Sequence, residues 1–251
     1  AAPCVPDAVL SLTWGPGGCG KSLTIAVHLA LFARTSRGLN VLITYSNEAW
    51  RAVVRQLQDL GFRTLGCLLI FVKDLTRTER EDLEAEFGSV FYSPEKGSLL
   101  DQLAGIRILI CTLSQAEKQL VANLGHDSPI LGRIANVFID EGGQLSASDT
   151  LPLVLIGVPE VAFLYFYGDG FQLPPHVDSP IPWVQEYLRR TPFDTFSLPG
   201  NRLRLGAASM WNTTIHRFWD PILRGVSDMW YRGTLLPMFV PAGTDESLEL
   251  E

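Results

Sequence analysis

Positive charge is in short supply in this 251-residue sequence: 20 lysines and arginines stand against 27 aspartates and glutamates, a formal net charge of −7. That balance argues against a broadly basic surface, so any nucleic-acid binding must use a local groove. Cysteine is scarce too. Cys4, Cys19, Cys67 and Cys111 form no C-x-x-C pair and no Cys/His cluster. They read as reduced thiols, without structural zinc, in an intracellular protein of the cytoplasm or nucleus. Long uninterrupted apolar runs are missing as well. The nearest, Leu151 to Gly168, is broken by Pro152, Pro159 and Glu160 and closed by Asp169. It reads as a helix or turn followed by a buried strand, and no membrane span is expected. Internal repeats and low-complexity tracts are absent. The four histidines carry no motif: His28 falls inside a helical pattern, His176 in a loop, and His126 and His216 in neither.

What is abundant is apolar residue content, 47% against 19% charged, as a parallel sheet buried on both faces requires. Short apolar runs alternate with helical patterns. Strands are expected at Val9–Trp14, Val41–Thr44, Leu68–Val72, Arg107–Thr112, Val137–Asp140 and Val161–Tyr167. Helices are expected at Ser22–Arg34, Glu48–Leu60, Thr78–Phe87, Ser114–Asn123 and Pro182–Arg190. Strands separated by helices argue for α/β architecture with a mainly parallel sheet. The charged stretch Thr76 to Glu86 reads as a solvated helix opened by a Thr78/Glu81 capping box, with an acidic interaction patch as the alternative. Pro174 to Gly200 reads as a loop-rich excursion, and beyond Pro221 the pattern weakens.

Gly15-Pro16-Gly17-Gly18-Cys19-Gly20-Lys21-Ser22 satisfies G-x-x-x-x-G-K-[ST] between an expected strand and an expected helix. A strand, a glycine-rich turn and a helix start form a phosphate cradle, the P-loop or Walker A motif. Inward-turned N–H groups and the positive end of the helix dipole suit the β-phosphate. Lys21 would reach the β- and γ-phosphates and Ser22 would place its hydroxyl on Mg²⁺. A glycine-rich turn matching by chance is the bland alternative.

Val137-Phe138-Ile139-Asp140-Glu141 is an apolar run ending in two carboxylates. Downstream of a P-loop, Asp140 would hold the Mg²⁺ shell and Glu141 would accept a proton from attacking water. Alone, the run is explained equally well as a strand-to-turn boundary. Gly168-Asp169-Gly170-Phe171-Gln172-Leu173-Pro174-Pro175 follows another apolar run. Its glycines and prolines suggest a tight turn, whereas Gln172 after a strand end can contact a γ-phosphate. Gln144, just past the Asp-Glu pair, could do similar work.

Together, the P-loop, Asp140-Glu141-Gly142-Gly143-Gln144 and Gly168-Asp169-x-x-Gln172-Leu173-Pro174-Pro175 resemble the motifs of superfamily 1 helicases. The resemblance is to the branch of the nonsense-mediated-decay helicase, with its D-E-x-x-Q and G-D-x-x-Q-L-x-P motifs. It implies a RecA-like three-layer α/β/α domain that binds ATP with Mg²⁺ and acts on single-stranded RNA or DNA. Thr44-Tyr45-Ser46-Asn47-Glu48-Ala49 resembles motif Ia, which would put Ser46 and Asn47 on nucleic-acid phosphates. Ile110-Cys111-Thr112-Leu113-Ser114 resembles motif Ic, which would put Thr112 on the sugar-phosphate backbone. Gly200-Asn201-Arg202-Leu203-Arg204 is similar to the Q-Y-R-M-H stretch of motif IV, with Arg202 aimed at the γ-phosphate. Asn201 and Gly200 replace that motif's Tyr and Gln.

On this resemblance residues 1–224 form the first, ATP-binding RecA-like domain of a nucleic-acid-dependent ATP hydrolase. Residues 225–251 form a tail or linker towards a second RecA-like domain, and both ends of the chain read as boundaries within a longer protein. Two other function classes fit the P-loop: a non-translocating nucleotide-dependent switch or scaffold, and a small-molecule kinase. The second would not need the Gly168–Pro175 motif.

Overall fold

The computed structural model describes residues 10–35, 38–61, 68–71, 76–87, 91–92, 97–121, 130–146, 148–149, 163–196, 208–211, 214–215 and 220–237. Strand β1 (Leu10–Trp14) leads through the glycine loop into α1 (Lys21–Thr35). Then come β2 (Leu39–Thr44), α2 (Asn47–Asp59), β3 (Leu68–Phe71), α3 (Arg77–Phe87) and the single turn α4 (Leu99–Gln102). Strand β4 (Ile108–Thr112) runs into α5 (Leu113–Gln115), which widens into a π-helical turn at Ala116–Val121. Strand β5 (Ile134–Ile139), a 3₁₀ turn at Gly142–Gln144 and β6 (Phe163–Gly168) follow. Helices α6 (Pro182–Leu188) and α7 (Pro192–Phe196) precede β7 (Ala208–Trp211), β8 (Thr214–Ile215), α8 (Asp220–Trp230) and β9 (Leu236–Pro237).

Seven of these strands form one sheet in the order β3-β4-β2-β5-β6-β1-β7, every pair parallel, with β8 and β9 as a separate short pair. Alternate side chains feed two cores. Val41, Ile43, Leu109, Cys111, Val137 and Ile139 join Ala116 and Leu120 of the π turn and Phe193 of α7 on one face. Leu42, Ile108, Ile110 and Phe138 join Ile25 and Leu29 of α1 and Trp50, Val53, Val54 and Leu57 of α2 on the other. Each large side chain buried this way contributes roughly 1.5–3 kcal/mol. The molecule is thus α/β, a RecA-like three-layer α/β/α sandwich, as the sequence led one to expect. Register is fixed inside the second core by a buried amide chain. Asn136 Nδ2 donates to Asn40 Oδ1 at 2.8 Å, and Asn40 Nδ2 donates to the Arg107 carbonyl at 3.0 Å.

All six expected strands and five expected helices form, within one to three residues at their ends, where the chain is described. Three differences stand out. The capping box of α3 is Thr76/Glu79, not Thr78/Glu81: Thr76 N–H donates to Glu79 Oε2 at 2.8 Å and Glu79 N–H to Thr76 Oγ1 at 3.3 Å. Glu81 is occupied by Arg77 at 2.8 Å, one helical turn away. The helix expected at Ser114–Asn123 is π-helical over most of its length. Beyond Pro221, where the pattern weakens, α8 forms and its Leu223 is buried. Among the described residues no helix is long and apolar enough to cross a membrane. Cys19 and Cys111 are buried and in no disulfide; Cys4 and Cys67 lie outside the described residues.

Candidate functional site

Because the sheet is parallel, β1, β2, β4, β5 and β6 all end on one edge, where doubly wound sheets hold ligands. The glycine loop leaves β1 there. Gly18 and Gly20 both have φ of +84°, a conformation that favours glycine, so the loop can turn back on itself. The Gly15 N–H anchors the loop to the end of β6 by donating to the Gly168 carbonyl at 2.9 Å. Lys21 is buried in the loop, its Nζ donating to the carbonyls of Gly15 at 2.7 Å and Pro16 at 3.1 Å. Cys19 turns the opposite way, into a small apolar cluster with Leu223, Tyr231 and Leu235.

Two further loops close on this one, and their glycines make the approach feasible. A Cβ on Gly143 would lie 2.3 Å from the Asp169 carbonyl oxygen, and one on Gly168 would lie 2.7 Å from the Gly143 nitrogen. A Cβ on Gly170 would lie 2.1 Å from the Trp14 ring. The turns after β5 and β6 therefore touch backbone to backbone. That contact is the physical reason for glycine at these positions of the two motifs.

Asp140 follows the last residue of β5, and its N–H donates to the Ile43 carbonyl at 2.9 Å. Its carboxylate is buried, accepts the Glu141 N–H on Oδ1 at 2.9 Å, and has its pKa pushed up to about 6. Burial is the main cause and the neighbouring Glu141 charge adds to it, with the Glu141 N–H and the Lys21 ammonium pulling the other way. Glu141 adopts a left-handed conformation, φ 55°, which is strained for a residue with a side chain. Its carbonyl accepts the Gln144 N–H at 2.8 Å, and its Oε2 lies 3.4 Å from Gln144 Nε2.

A cleft of about 680 Å³ opens between these loops, in the size range of ligand pockets. The structure brings Gly17, Gly18, Gly20, Lys21, Ser22, Asp140, Glu141 and Gln172 to its wall. Gln172 Oε1 is buried there without a hydrogen-bond partner. The other expected residues are arranged around the cleft. Gly15 and Pro16 hold Lys21, Cys19 backs the loop, and Gln144 lies against Glu141. Ser46, Asn47 and Thr112 stand at the ends of β2 and β4, which pair Thr44 with Thr112. Ser46 Oγ caps α2 by accepting the Ala49 N–H at 3.3 Å, and Asn47 Oδ1 accepts the Trp50 Nε1 proton at 3.1 Å. Arg202 lies outside the described residues.

Sequence reasoning missed one wall of the cleft. Ala52, Arg55 and Gln56 of α2 line it, and Arg55 is the second cationic side chain there beside Lys21. A helical-face pattern separates buried from solvated positions but does not tell which solvated side overlooks a cleft. Two histidines fall as expected. His28 is packed against Phe32, Tyr165 and Tyr167 with its pKa lowered by burial, and His176 is exposed in the loop after β6.

The residues fit a magnesium nucleotide. An ammonium held by two carbonyls, an orphaned amide oxygen and a buried carboxylate with a raised pKa all face one cleft. Among the described residues no cluster of three or more His, Cys, Asp or Glu could hold a metal ion alone. A divalent cation here would need phosphate oxygens and water to complete its shell.

No protein-family model matches the chain, and no curated protein matches it. Solved structures do. The chain is similar to arterivirus nonstructural protein 10, a helicase, in complex with DNA: 16% identity, TM-score 0.48, covering 92% of this chain and 42% of that one. It is similar to the crystal structure of the same arterivirus protein at 17% identity and TM-score 0.46, covering 92% and 41%. It is also similar to the Pyrococcus furiosus Hef helicase domain at 14% identity and TM-score 0.42, covering 87% and 37%. The chain spans about two fifths of the length of these solved structures.

Proposed function

We propose that this chain is the ATP-binding half of a nucleic-acid-dependent ATPase of the superfamily 1 helicase type, in the branch of the nonsense-mediated-decay helicase. The observation that carries the reading is the convergence of Lys21, Ser22, Asp140, Glu141 and the unpartnered Gln172 on one cleft. A switch module needs the first three. A carboxylate and an amide placed where water would attack a γ-phosphate are what hydrolysis adds.

The loop N–H groups from Gly15 to Ser22 bind the phosphates, and Lys21 exchanges its two carbonyl partners for the β- and γ-oxygens. Ser22 and Asp140 hold Mg²⁺, which when bound neutralises phosphate charge as it develops. Glu141 accepts the proton of the attacking water, and Gln172 orients that water or the γ-phosphate, with Gln144 steadying Glu141. Arg202 completes the charge around the γ-phosphate. Single-stranded RNA or DNA lies across the ends of β2 and β4, at Ser46, Asn47 and Thr112. Residues 1–224 form the first RecA-like domain, residues 225–251 lead towards a second one that closes the cleft, and the protein works in the cytoplasm or nucleus.

The test is nucleotide binding and turnover with single-stranded RNA, with single-stranded DNA and with neither. The 251-residue chain is expected to bind a fluorescent ATP analogue weakly, only with Mg²⁺, and to hydrolyse ATP slowly. Lys21→Ala is expected to weaken binding roughly tenfold to a hundredfold, the worth of a hydrogen bond to a charged group. Glu141→Gln is expected to retain binding and lose turnover. A wild-type chain with no Mg²⁺-dependent affinity, or a Glu141→Gln variant with unchanged turnover, would refute the assignment.

A further inference from the structure

Tyr231 lies beyond every motif, yet it touches two of the three loops of the cleft. Its Oη donates to Asp169 Oδ2 at 2.5 Å in a buried contact. The other carboxylate oxygen, Asp169 Oδ1, accepts the Phe171 N–H at 3.0 Å. Asp169 is thereby spent on both sides, and the turn that it organises carries Gln172, whose own N–H reaches the Asp169 carbonyl at 3.4 Å. The Tyr231 ring meets the Phe171 ring edge-on, centroids 5.1 Å apart, and packs with Leu223 and Leu235 against Cys19 of the phosphate loop.

The tyrosine is itself held firmly. Its N–H donates to the Ser227 carbonyl at 2.8 Å, the Gly233 N–H donates to the same carbonyl at 3.0 Å, and Thr234 Oγ1 donates to the Tyr231 carbonyl at 2.6 Å. Arg232 and Gly233 both take positive φ, 53° and 70°, in a left-handed stop to α8. The Leu235 N–H then returns to Ser227 Oγ at 3.1 Å. The end of α8 is therefore a rigid mount, and its one polar tip reaches the turn after β6.

We infer that Tyr231 is a positioning residue of the cleft, tying the Gln172 turn to the phosphate loop through its hydroxyl on Asp169 and its ring on Cys19. The inference rests on the proposed ATPase reading for its kinetic consequence and on the hydrogen-bond geometry alone for its structural one. The two uses of the side chain are separable. Phenylalanine at position 231 keeps the ring against Cys19, so phosphate binding survives. It deletes the donor to Asp169, so the Gln172 turn loosens.

Hydrogen exchange and steady-state kinetics on the 251-residue chain test this together. In Tyr231→Phe, without nucleotide, amides of residues 169–172 are expected to exchange about tenfold faster, the worth of one buried hydrogen bond, with exchange in α1 unchanged. KM for Mg-ATP is expected to stay within about twofold while kcat falls about tenfold or more, as a misplaced amide would cause. Tyr231→Phe combined with Gln172→Ala is expected to be no slower than Gln172→Ala alone, because both changes disable the same group. Unchanged exchange at residues 169–172, or independent multiplicative losses in the double variant, overturns the inference. A wild-type chain that shows no Mg-ATP affinity sinks the ATPase reading instead, and the exchange measurement still decides the tether.

Discussion

Replacing Asp140 with asparagine should make the nucleotide-free protein more stable while abolishing the Mg²⁺ binding proposed for this site. The buried carboxyl has its pKa raised from 3.8 to about 6, a difference worth roughly 3 kcal/mol at 1.36 kcal/mol per unit. The sign follows from proton counting. Between pH 4 and pH 6 the folded chain holds a proton on Asp140 that the unfolded chain has released, so its stability falls as pH rises through that window. Above about pH 7 the deficit is complete and flat. The substituted amide does not titrate, and its oxygen can still accept the Glu141 N–H as the carboxylate does. Urea unfolding of both proteins, in EDTA, at pH 4.5, 5.5 and 7.5 measures the difference, with titrations remote from Asp140 cancelling between the two. Asp140→Asn should gain about 1 kcal/mol at pH 4.5, about 2 kcal/mol at pH 5.5 and about 3 kcal/mol at pH 7.5, the last a rise of roughly 6–12 °C in Tm. Mg²⁺ with an ATP analogue should then raise the Tm of the wild type only. Unfolding curves whose separation is the same at all three pH values would show that Asp140 carries no burial penalty, and the argument for a cation-hungry carboxylate would fail with it.

Three other substitutions probe different parts of the same cleft. Gly143→Ala forces a Cβ against the Asp169 carbonyl and should cost about 1–3 kcal/mol by thermal denaturation, as overpacking does; a neutral result would mean that the turns after β5 and β6 are not in backbone contact. Arg55→Ala removes the second cation of the cleft and should weaken Mg-ATP binding roughly twofold to fivefold at low salt, the effect fading as salt screens an exposed charge; equal affinity at low salt would place Arg55 outside the ligand's reach. Ser46→Ala removes the cap of α2 and should lower stability by about 1 kcal/mol in urea unfolding without any nucleic acid present. Full stability in that variant would leave the hydroxyl free for a phosphate.

Local chemistry made the phosphate loop and the two carboxylates legible in the sequence, because each is a short segment whose neighbours in the chain are also its neighbours in space. Gly18 and Gly20 announce a backbone that needs positive φ. Asp140 announces a strand that ends in charge. The glycines at 143, 168 and 170 are visible in sequence only as turn formers. Their reason, one turn lying against another and against Trp14, joins segments far apart in the chain. The capping box of α3 illustrates competition at short range. Thr76/Glu79 and Thr78/Glu81 both satisfy the spacing, but Thr76 stands just before the first residue of α3, where a cap belongs, and Thr78 already lies inside the helix.

Tyr231 marks the limit of reading by spacing. It meets Asp169 across 62 residues, and no periodicity or motif relates the two. Indirect signals were present: Pro221 at the start of a helix and Gly233 just past its end punctuate α8. They give the helix but not the loop on which its last turn rests. The same contrast applies to the charges. An acidic chain argues against a broad basic surface, yet net charge says nothing about the arrangement inside one cleft. There, Lys21 and Arg55 share the wall with Asp140, Glu141 and an orphaned amide oxygen. The buried Asp140 carboxylate, its pKa raised, and the unpaired Gln172 oxygen carry costs there that a cation, water and phosphate would relieve together. Ligand binding should therefore stabilise this edge of the sheet more than any substitution that merely improves its packing.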